Sequence, residues 1–341
     1  MKSVLIVHHC DNDGYGAAAV IAHAVGINNV DFIEANYSVS LENIVKNTNY
    51  RCIYFVDYSI STKENAEFIK KLNEKTDVIW IDHHKSSIDM IEEMPELSRI
   101  YGYRVIGIAG VGLAWIYALN HLALKRDGIA PSMIEAVEAR INQVSDTYTT
   151  ISKDMGNVFL RKLMCPKTLH LINRWDIWDI DDRIIDFNYG LDINGPEDLL
   201  RVFESEEIDF QTQAKAINDG AKICRYIKKE NEESCNRNGF ELTINYEGEK
   251  YSCFALNTNH YSSLTFGDRM NKYDICMPFS YNGKRWSYSL YTVKKDIDCS
   301  VIAKSFGGGG HAQAAGFTYG TLIAKPGKEL WAEREQGPIR I

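Results

Sequence analysis

The sequence predicts an α/β protein: an N-terminal domain built on a parallel sheet with flanking helices, followed by a smaller C-terminal α/β domain. Three observations predict it. Short apolar runs at 3–8, 52–56 and 78–81 alternate with helix-spaced segments, the order that produces a parallel sheet. Each of those runs ends in carboxylates or imidazoles, groups that a packed core accepts only when a metal or an opposite charge pairs them. From residue 239 onward the pattern changes to alternating runs around Glu247-Gly248 and Asn282-Gly283, which is a hairpin signal.

Composition sets outer limits. At 341 residues the chain has room for one large or two ordinary domains with ample core. A net charge of −8 argues against a protein that coats long nucleic acid by neutralising many phosphates. It leaves open an enzyme for small phosphate esters, because divalent cations can supply positive charge locally. Eight cysteines are scattered without a C-x-x-C pair, which suits a reducing compartment, and a cytoplasmic location is expected. No run reaches membrane-spanning length and no secretory leader is visible, so no membrane attachment is expected.

Taken in order, the strand at 3–8 runs straight into His8-His-Cys-Asp-Asn-Asp-Gly-Tyr-Gly16, and a helix-favouring stretch at 17–25 follows. His9, Asp11 and Asp13 alternate, so in an extended loop all three side chains can converge on one side. A lone Asp there would be read as a helix cap. Two acids and a histidine exceed what a cap requires. Residues 30–37 form a second strand candidate and 41–47 a short helix. The strand at 52–56 ends in Asp57, and 62–75 has helical spacing at Ala66, Ile69 and Leu72. The run Val78-Ile-Trp-Ile81 reads as a strand buried on both faces, and it ends in Asp82-His83-His84. Any one strand-end Asp is usually a turn former; three ligand-type strand ends in one register are not.

These residues resemble the motifs of the DHH phosphoesterase superfamily, which includes single-strand exonucleases, nano-RNases, cyclic-dinucleotide phosphodiesterases and family II pyrophosphatases. His9-x-Asp11-x-Asp13-Gly14 resembles its first motif, Asp57 its second and Asp82-His83-His84 its third. Beyond them, 99–107 reads as an edge strand and loop, and 110–119 as an apolar helix whose glycines could serve close packing or a phosphate, close packing being preferred. Residues 126–165 form a helical insertion relative to family members, with segments at 134–144 and 158–164. The fourth motif is placed at Leu171-Ile-Asn-Arg-Trp-Asp176-Ile-Trp-Asp179. Asp146 resembles another version of it, but Asn188-Tyr-Gly-Leu191, typical of the first subgroup, follows Asp176.

The domain layout expected on this resemblance is a DHH catalytic, metal-binding domain over 1–190, a charged helical connector over 191–238, a DHH-associated domain over 239–320 and a tail over 321–341. In the third part, strand pairs at 240–246 with 250–256 and 274–281 with 285–293 precede a helix at 298–306. Gly307-Gly-Gly-Gly310 and His311 follow. Such a run can leave N–H groups free as an anion-binding nest, and the histidine can donate to the same anion. The stretch resembles the glycine-rich signature of the DHH-associated domain, which holds substrate phosphate. Where many members read Ser-Leu-Arg-Ser, this chain has Ser289-Leu-Tyr291-Thr, so Lys294, Lys295 or Arg285 could be the phosphate contact, or equally a solvated surface charge.

The resemblance implies a two-metal phosphodiesterase. His9, Asp11 and Asp57 would hold one ion, and Asp13, Asp57, His83 and Asp176 the other, with Asp57 bridging. Mixed imidazole and carboxylate ligands suit Mn²⁺, with Mg²⁺ or Co²⁺ as alternatives. Asp57, His84 and Asp82 would be the catalytic residues, His84 meeting the reacting phosphate and Asp82 orienting a histidine. Gly308, Gly309, Gly310, His311 and Tyr291 would bind substrate, a short oligonucleotide or dinucleotide held between the domains. A homodimer is left open. Three rivals stand beside this reading: a processive single-strand exonuclease, a bisphosphate-nucleotide phosphatase, and a nucleotide-binding module without turnover.

Overall fold

A computed structural model describes residues 2–36, 40–46, 49–122, 124, 127–147, 150–259 and 262–332. The chain divides into two compact units, Met1–Cys224 and Arg225–Ile341.

The first unit opens with β1 (Val4–His9), α1 (Asn12–Val25), β2 (Val30–Ala35), α2 (Leu41–Ile44), β3 (Cys52–Val56), α3 (Lys63–Asn73), β4 (Asp77–Ile81) and α4 (Lys85–Glu93). The four strands are parallel in the order β2-β1-β3-β4. Alternation along each strand sorts the core into two layers. Val4, Ile6, Tyr54, Val56, Ile79 and Ile81 pack with Ala18, Val20 and Ile21 of α1. Leu5, Val7, Ile53, Phe55, Val78 and Trp80 pack with Leu41, Ala66, Ile69, Leu72 and Met90 on the other face. Burial on both faces is why β1, β3 and β4 read as apolar runs.

Residues 99–107 do not add a strand. They make isolated bridges from Tyr101 to Ile79 and from Arg104 to Asp82. Next comes α5 (Gly110–His121), apolar on all sides and buried in the first layer. Gly112 is small for packing, since a Cβ would meet Ile108 Cγ2 at 2.7 Å and Asn173 Oδ1 at 2.8 Å. The expected helical insertion contains α6 (Pro131–Thr147) and α7 (Lys153–Lys162), followed by α8 (Lys167–Asp176) and α9 (Asp182–Asn194). Then α10 (Glu206–Asn238) runs 33 residues. The boundary between the two units falls within α10, inside the helical stretch expected at 191–238.

The second unit contains β5 (Phe240–Tyr246), β6 (Glu249–Asn257), α11 (Arg269–Lys272), β7 (Ile275–Tyr281), β8 (Trp286–Tyr291), α12 (Cys299–Ser305), β9 (Gly309–His311), β10 (Ala314–Tyr319) and β11 (Glu329–Ala332). They form a mixed seven-stranded sheet ordered β11-β5-β6-β7-β8-β10-β9. Glu247 and Gly248, with φ of 53° and 87°, make the left-handed two-residue turn that matches strand twist between β5 and β6. The expected tail at 321–341 is corrected in part. Residues 329–332 pair in parallel with β5, and Leu330 is buried in the core of that sheet. Four residues are too few to show a strand's alternation in sequence. Residues 333–341 lie outside the described set.

Candidate metal centre

The parallel sheet brings its polar strand ends to one edge, the carboxyl edge where open α/β sheets place ligands. At the end of β1, His9 Nδ1 donates to Asp11 Oδ2 at 2.7 Å. The other oxygen of Asp11 accepts from Gly14 N at 2.9 Å as the N-cap of α1. Asp11 is thus both a cap and a member of the acidic group. Burial would raise its pKa, but the hydrogen bonds from His9 and the Gly14 amide outweigh that and hold it down at about 2. Gly14 has no alternative, since a Cβ there would lie 2.2 Å from His9 O.

Asp13 is 2% exposed. Its oxygens accept from the backbone of Gly110 at 2.6 Å and Val111 at 2.8 Å, the first two amides of α5. A helix N-terminus is a natural seat for a carboxylate. Gly110 is required for a second reason: a Cβ would meet Asp57 Cβ at 2.6 Å. The close packing expected of the α5 glycines thus includes a carboxylate-bearing residue, Asp57.

Asp57 follows β3 with φ of 51°, the left-handed region that Asp tolerates better than most residues. It is 1% exposed, and neither carboxylate oxygen has a hydrogen-bond partner. Burial raises its pKa well above the usual range, and the charges of Asp11, Asp176 and Asp82 push the same way. Asp13 is likewise raised by burial, then by Asp57 and Asp176, with His83 opposing.

His83 joins these acids. Its Nε2 lies 3.5 Å from Asp13 Oδ2, 3.2 Å from Asp57 Oδ1 and 3.1 Å from Asp176 Oδ2, yet makes no hydrogen bond. Burial lowers its pKa, and the charges of Asp176, Asp13 and Asp82 overcome that and raise it. Behind it, fully buried Asp82 accepts from His84 Nδ1 at 2.7 Å and from the Ser87 hydroxyl. Burial would raise the Asp82 carboxyl, but His84, then His83 and Ser87, bring it below its ordinary value. Asp82 therefore braces His84, which caps α4 with its backbone.

Three overlapping groups have ligand atoms within 4.8 Å of one another: His9, Asp11 and Asp57; Asp13, His83 and Asp176; Asp57, His83 and His84. Asp176, the last residue of α8, enters the cluster, whereas Asp146 is exposed on α6 and joins none of these groups. Carboxylates crowded in a buried place, with both oxygens of Asp57 accepting no hydrogen bond, are the arrangement a divalent cation satisfies. Beside them lies a cavity of about 470 Å³, lined in part by Asp11, Asp13, Trp175 and Asp176. There Asn12 Nδ2 donates to Asn188 Oδ1 at 3.0 Å and Asp192 Oδ1 at 2.6 Å. Sequence reasoning used Asn188 only as a subgroup marker and missed Asn12 and Asp192. The position of Asn12 between Asp11 and Asp13 was the available signal.

The glycine-rich segment of the second unit behaves differently. Gly307 N donates to Lys304 O and Gly308 N to Ala303 O, closing the end of α12. A Cβ on Gly308 would lie 2.1 Å from Gly316 O, and one on Gly310 2.6 Å from Ala315 Cα. Gly307 and Gly310 also have φ of 76° and 137°. Three of the four glycines thus have backbone reasons, and two of the amides expected in a nest are already used. Gly309 alone has open space beside its Cα and an ordinary φ, and His311 is exposed. Tyr291 is half-buried at the end of β8, paired with Ala314 of β10. Lys294 is committed to an ion pair with Asp274.

An α/β sheet whose carboxyl edge gathers acids and imidazoles around buried carboxylate oxygens is equipped to hold divalent cations. Residues 3–138 match the DHH family, N-terminal domain. The chain is 23% identical over 339 residues to an uncharacterized protein of Acanthamoeba polyphaga mimivirus, covering 93% of this chain and 67% of that one. Among solved structures it is similar to RecJ of Thermus thermophilus in complex with Mn²⁺, at 13% identity and a TM-score of 0.50. That match covers 96% of this chain but only 53% of RecJ, so the chain spans about half its length. The DHH domain of a protein from a ribosomal-protein family gives a TM-score of 0.51 at 11% identity, over 92% of this chain and 82% of that one. These likenesses concern the fold.

Proposed function

We propose that the chain is a two-metal phosphodiesterase acting on short oligonucleotides or dinucleotides. The observation that carries this is the buried carboxylate of Asp57, which accepts no hydrogen bond, at the junction of two ligand groups. His9, Asp11 and Asp57 would hold one divalent cation, and Asp13, Asp57, His83 and Asp176 a second. Mn²⁺ suits the mixed donors, with Mg²⁺ or Co²⁺ able to substitute. The cations, when bound, supply positive charge for phosphate oxygens and a lowered pKa for water. The protein's own groups do the positioning. The amides of Gly110 and Val111 fix both oxygens of Asp13, and Gly14 fixes one oxygen of Asp11. Asp82 holds the His84 ring through Nδ1, which favours the protonated ring, a donor suited to a phosphate oxygen or a leaving group. Gly309 and His311 are proposed substrate contacts in the second unit, with Tyr291 in place of the arginine of many relatives. A reducing, cytoplasmic setting fits the absence of disulfides among the described residues; no helix among them is long and apolar enough to cross a membrane.

The test is a Mn²⁺ assay over linear dinucleotides, cyclic dinucleotides, pAp and labelled oligomers, with products read by mass. Cleavage of dinucleotides and short oligomers to mononucleotides is expected. Release of inorganic phosphate from pAp alone would replace the reading with a monoesterase. A rate that rises with oligomer length would favour the exonuclease. Mn²⁺-dependent nucleotide binding without turnover would leave a binding module.

A further inference from the structure

The helix that ends in Asp176 carries a second polar face. On α8, Ile172, Trp175 and Asp176 line the cavity beside the acidic cluster. Lys167, His170, Leu171 and Arg174, at helical three- and four-residue spacings, line a different cavity of about 570 Å³ with residues of α7, α9 and α10. Its charge is opposite. Arg161, Lys167, Arg174 and Arg183 face Asp154 and Asp179, and Asp179 is already engaged by Arg174 Nε at 2.6 Å and Asn157 Nδ2 at 3.0 Å. Among the described residues, Arg161, Lys167 and Arg183 form no ion pair.

A second, independent feature points to a ligand. Gln213, 3% exposed, lines this cavity, and its Nε2 has no acceptor. The amide cannot be turned to relieve this, because Arg183 Nη2 donates to its oxygen and needs one there. A buried amide donor left without an acceptor is costly. In a basic cavity, an anionic oxygen is the partner that fits. His170 stays neutral in these surroundings, its pKa lowered to about 4 by burial and by Arg161 and Arg174, and its Nε2 donates to Asn157 Oδ1 at 3.1 Å. The volume falls within the usual range for small-molecule sites and exceeds what a bare oxyanion needs.

We propose that the cavity bounded by α7, α8, α9 and the first turns of α10 is a second binding site, separate from the acidic cluster, for a phosphorylated small molecule of nucleotide size. The phosphate meets Arg161, Arg183 and the Gln213 amide, and the remainder lies along Val158 and Leu171.

The experiment is calorimetric titration of the EDTA-treated full chain, in phosphate-free buffer, with inorganic phosphate and with adenosine 5′-monophosphate. One-to-one binding of the nucleotide is expected with Kd of about 1 mM or tighter, and weaker binding of phosphate. The Arg161→Ala/Arg183→Ala double variant, altered at two exposed positions, should weaken both by about tenfold or more. The Asp57→Asn variant should bind as the wild type does, and Gln213→Glu should abolish binding. The proposal is overturned by absent binding of the nucleotide, by equal affinities for the two probes, by unchanged binding in the double variant, or by loss in Asp57→Asn. Since metal-free protein is used, failure here leaves the phosphodiesterase reading standing, and the reverse.

Discussion

In sequence, the acidic cluster of the first unit and the glycine-rich segment of the second unit are equally suggestive of function, yet the fold treats them in opposite ways. In the cluster, both oxygens of Asp57 and Nε2 of His83 are buried and make no hydrogen bond, facing only one another and neighbouring acids. In the glycine segment most of the unusual composition is consumed by the backbone, since Gly307, Gly308 and Gly310 are required by φ or by contact with β10. Unsatisfied polar groups signal a missing ligand, because native proteins rarely bury them without return. Glycines signal only that a side chain would not fit.

The comparison can be broken most directly at Asp57. Asp57→Ala is expected to lower turnover by about a thousandfold or more, which steady-state assays in Mn²⁺ would measure. Asp57→Asn keeps the shape and the left-handed backbone while removing a charge that Asp11, Asp176 and Asp82 all oppose. Without metal, its melting temperature should equal or exceed that of the wild type. Adding Mn²⁺ at about 100 times its Kd should stabilise the wild type by about 2.7 kcal/mol, and the variant much less. A wild type indifferent to divalent cations would remove the cluster's claim to be a metal centre.

The glycines give smaller, sharper effects. Gly308→Ala drives a Cβ to 2.1 Å from Gly316 O and should cost about 1–3 kcal/mol in chemical denaturation. Gly309→Ala meets nothing within 4 Å and should change stability by about 0.5 kcal/mol or less. If that variant nonetheless loses turnover, Gly309 serves substrate. If it is fully active, the segment is structural. Gly110→Ala tests the cluster side of the same contrast: its Cβ would press on Asp57, so lowered metal affinity is expected beyond the loss in stability.

A further effect concerns pH. His170 has a folded pKa of about 4 against an ordinary 6.5. Between those values the unfolded chain binds more protons, so stability rises with pH. The contribution is complete above pH 6.5 and disappears as pH falls toward 4, amounting to on the order of 2–3 kcal/mol. His170→Gln should flatten that part of the pH profile in thermal melts made without phosphate. An unchanged slope would assign it to other groups.

Much of this molecule was legible in one dimension. Parallel strands buried on both faces appear as apolar runs, so β1, β3 and β4 and the acids at their ends stood out together. Paired turns at Glu247-Gly248 and Asn282-Gly283 gave the hairpins for the same local reason. What sequence could not yield depended on contacts between distant segments. Asp13 rests on the amides of residues nearly a hundred positions away, at Gly110 and Val111. The β11 strand exists only through its pairing with β5, and Gln213 is left without an acceptor only because Arg183, 30 residues earlier, fixes its orientation. Periodicity and strand-end chemistry are written locally along the chain. Which polar groups end up with partners, and which are kept waiting for a ligand, is decided only when the chain has folded.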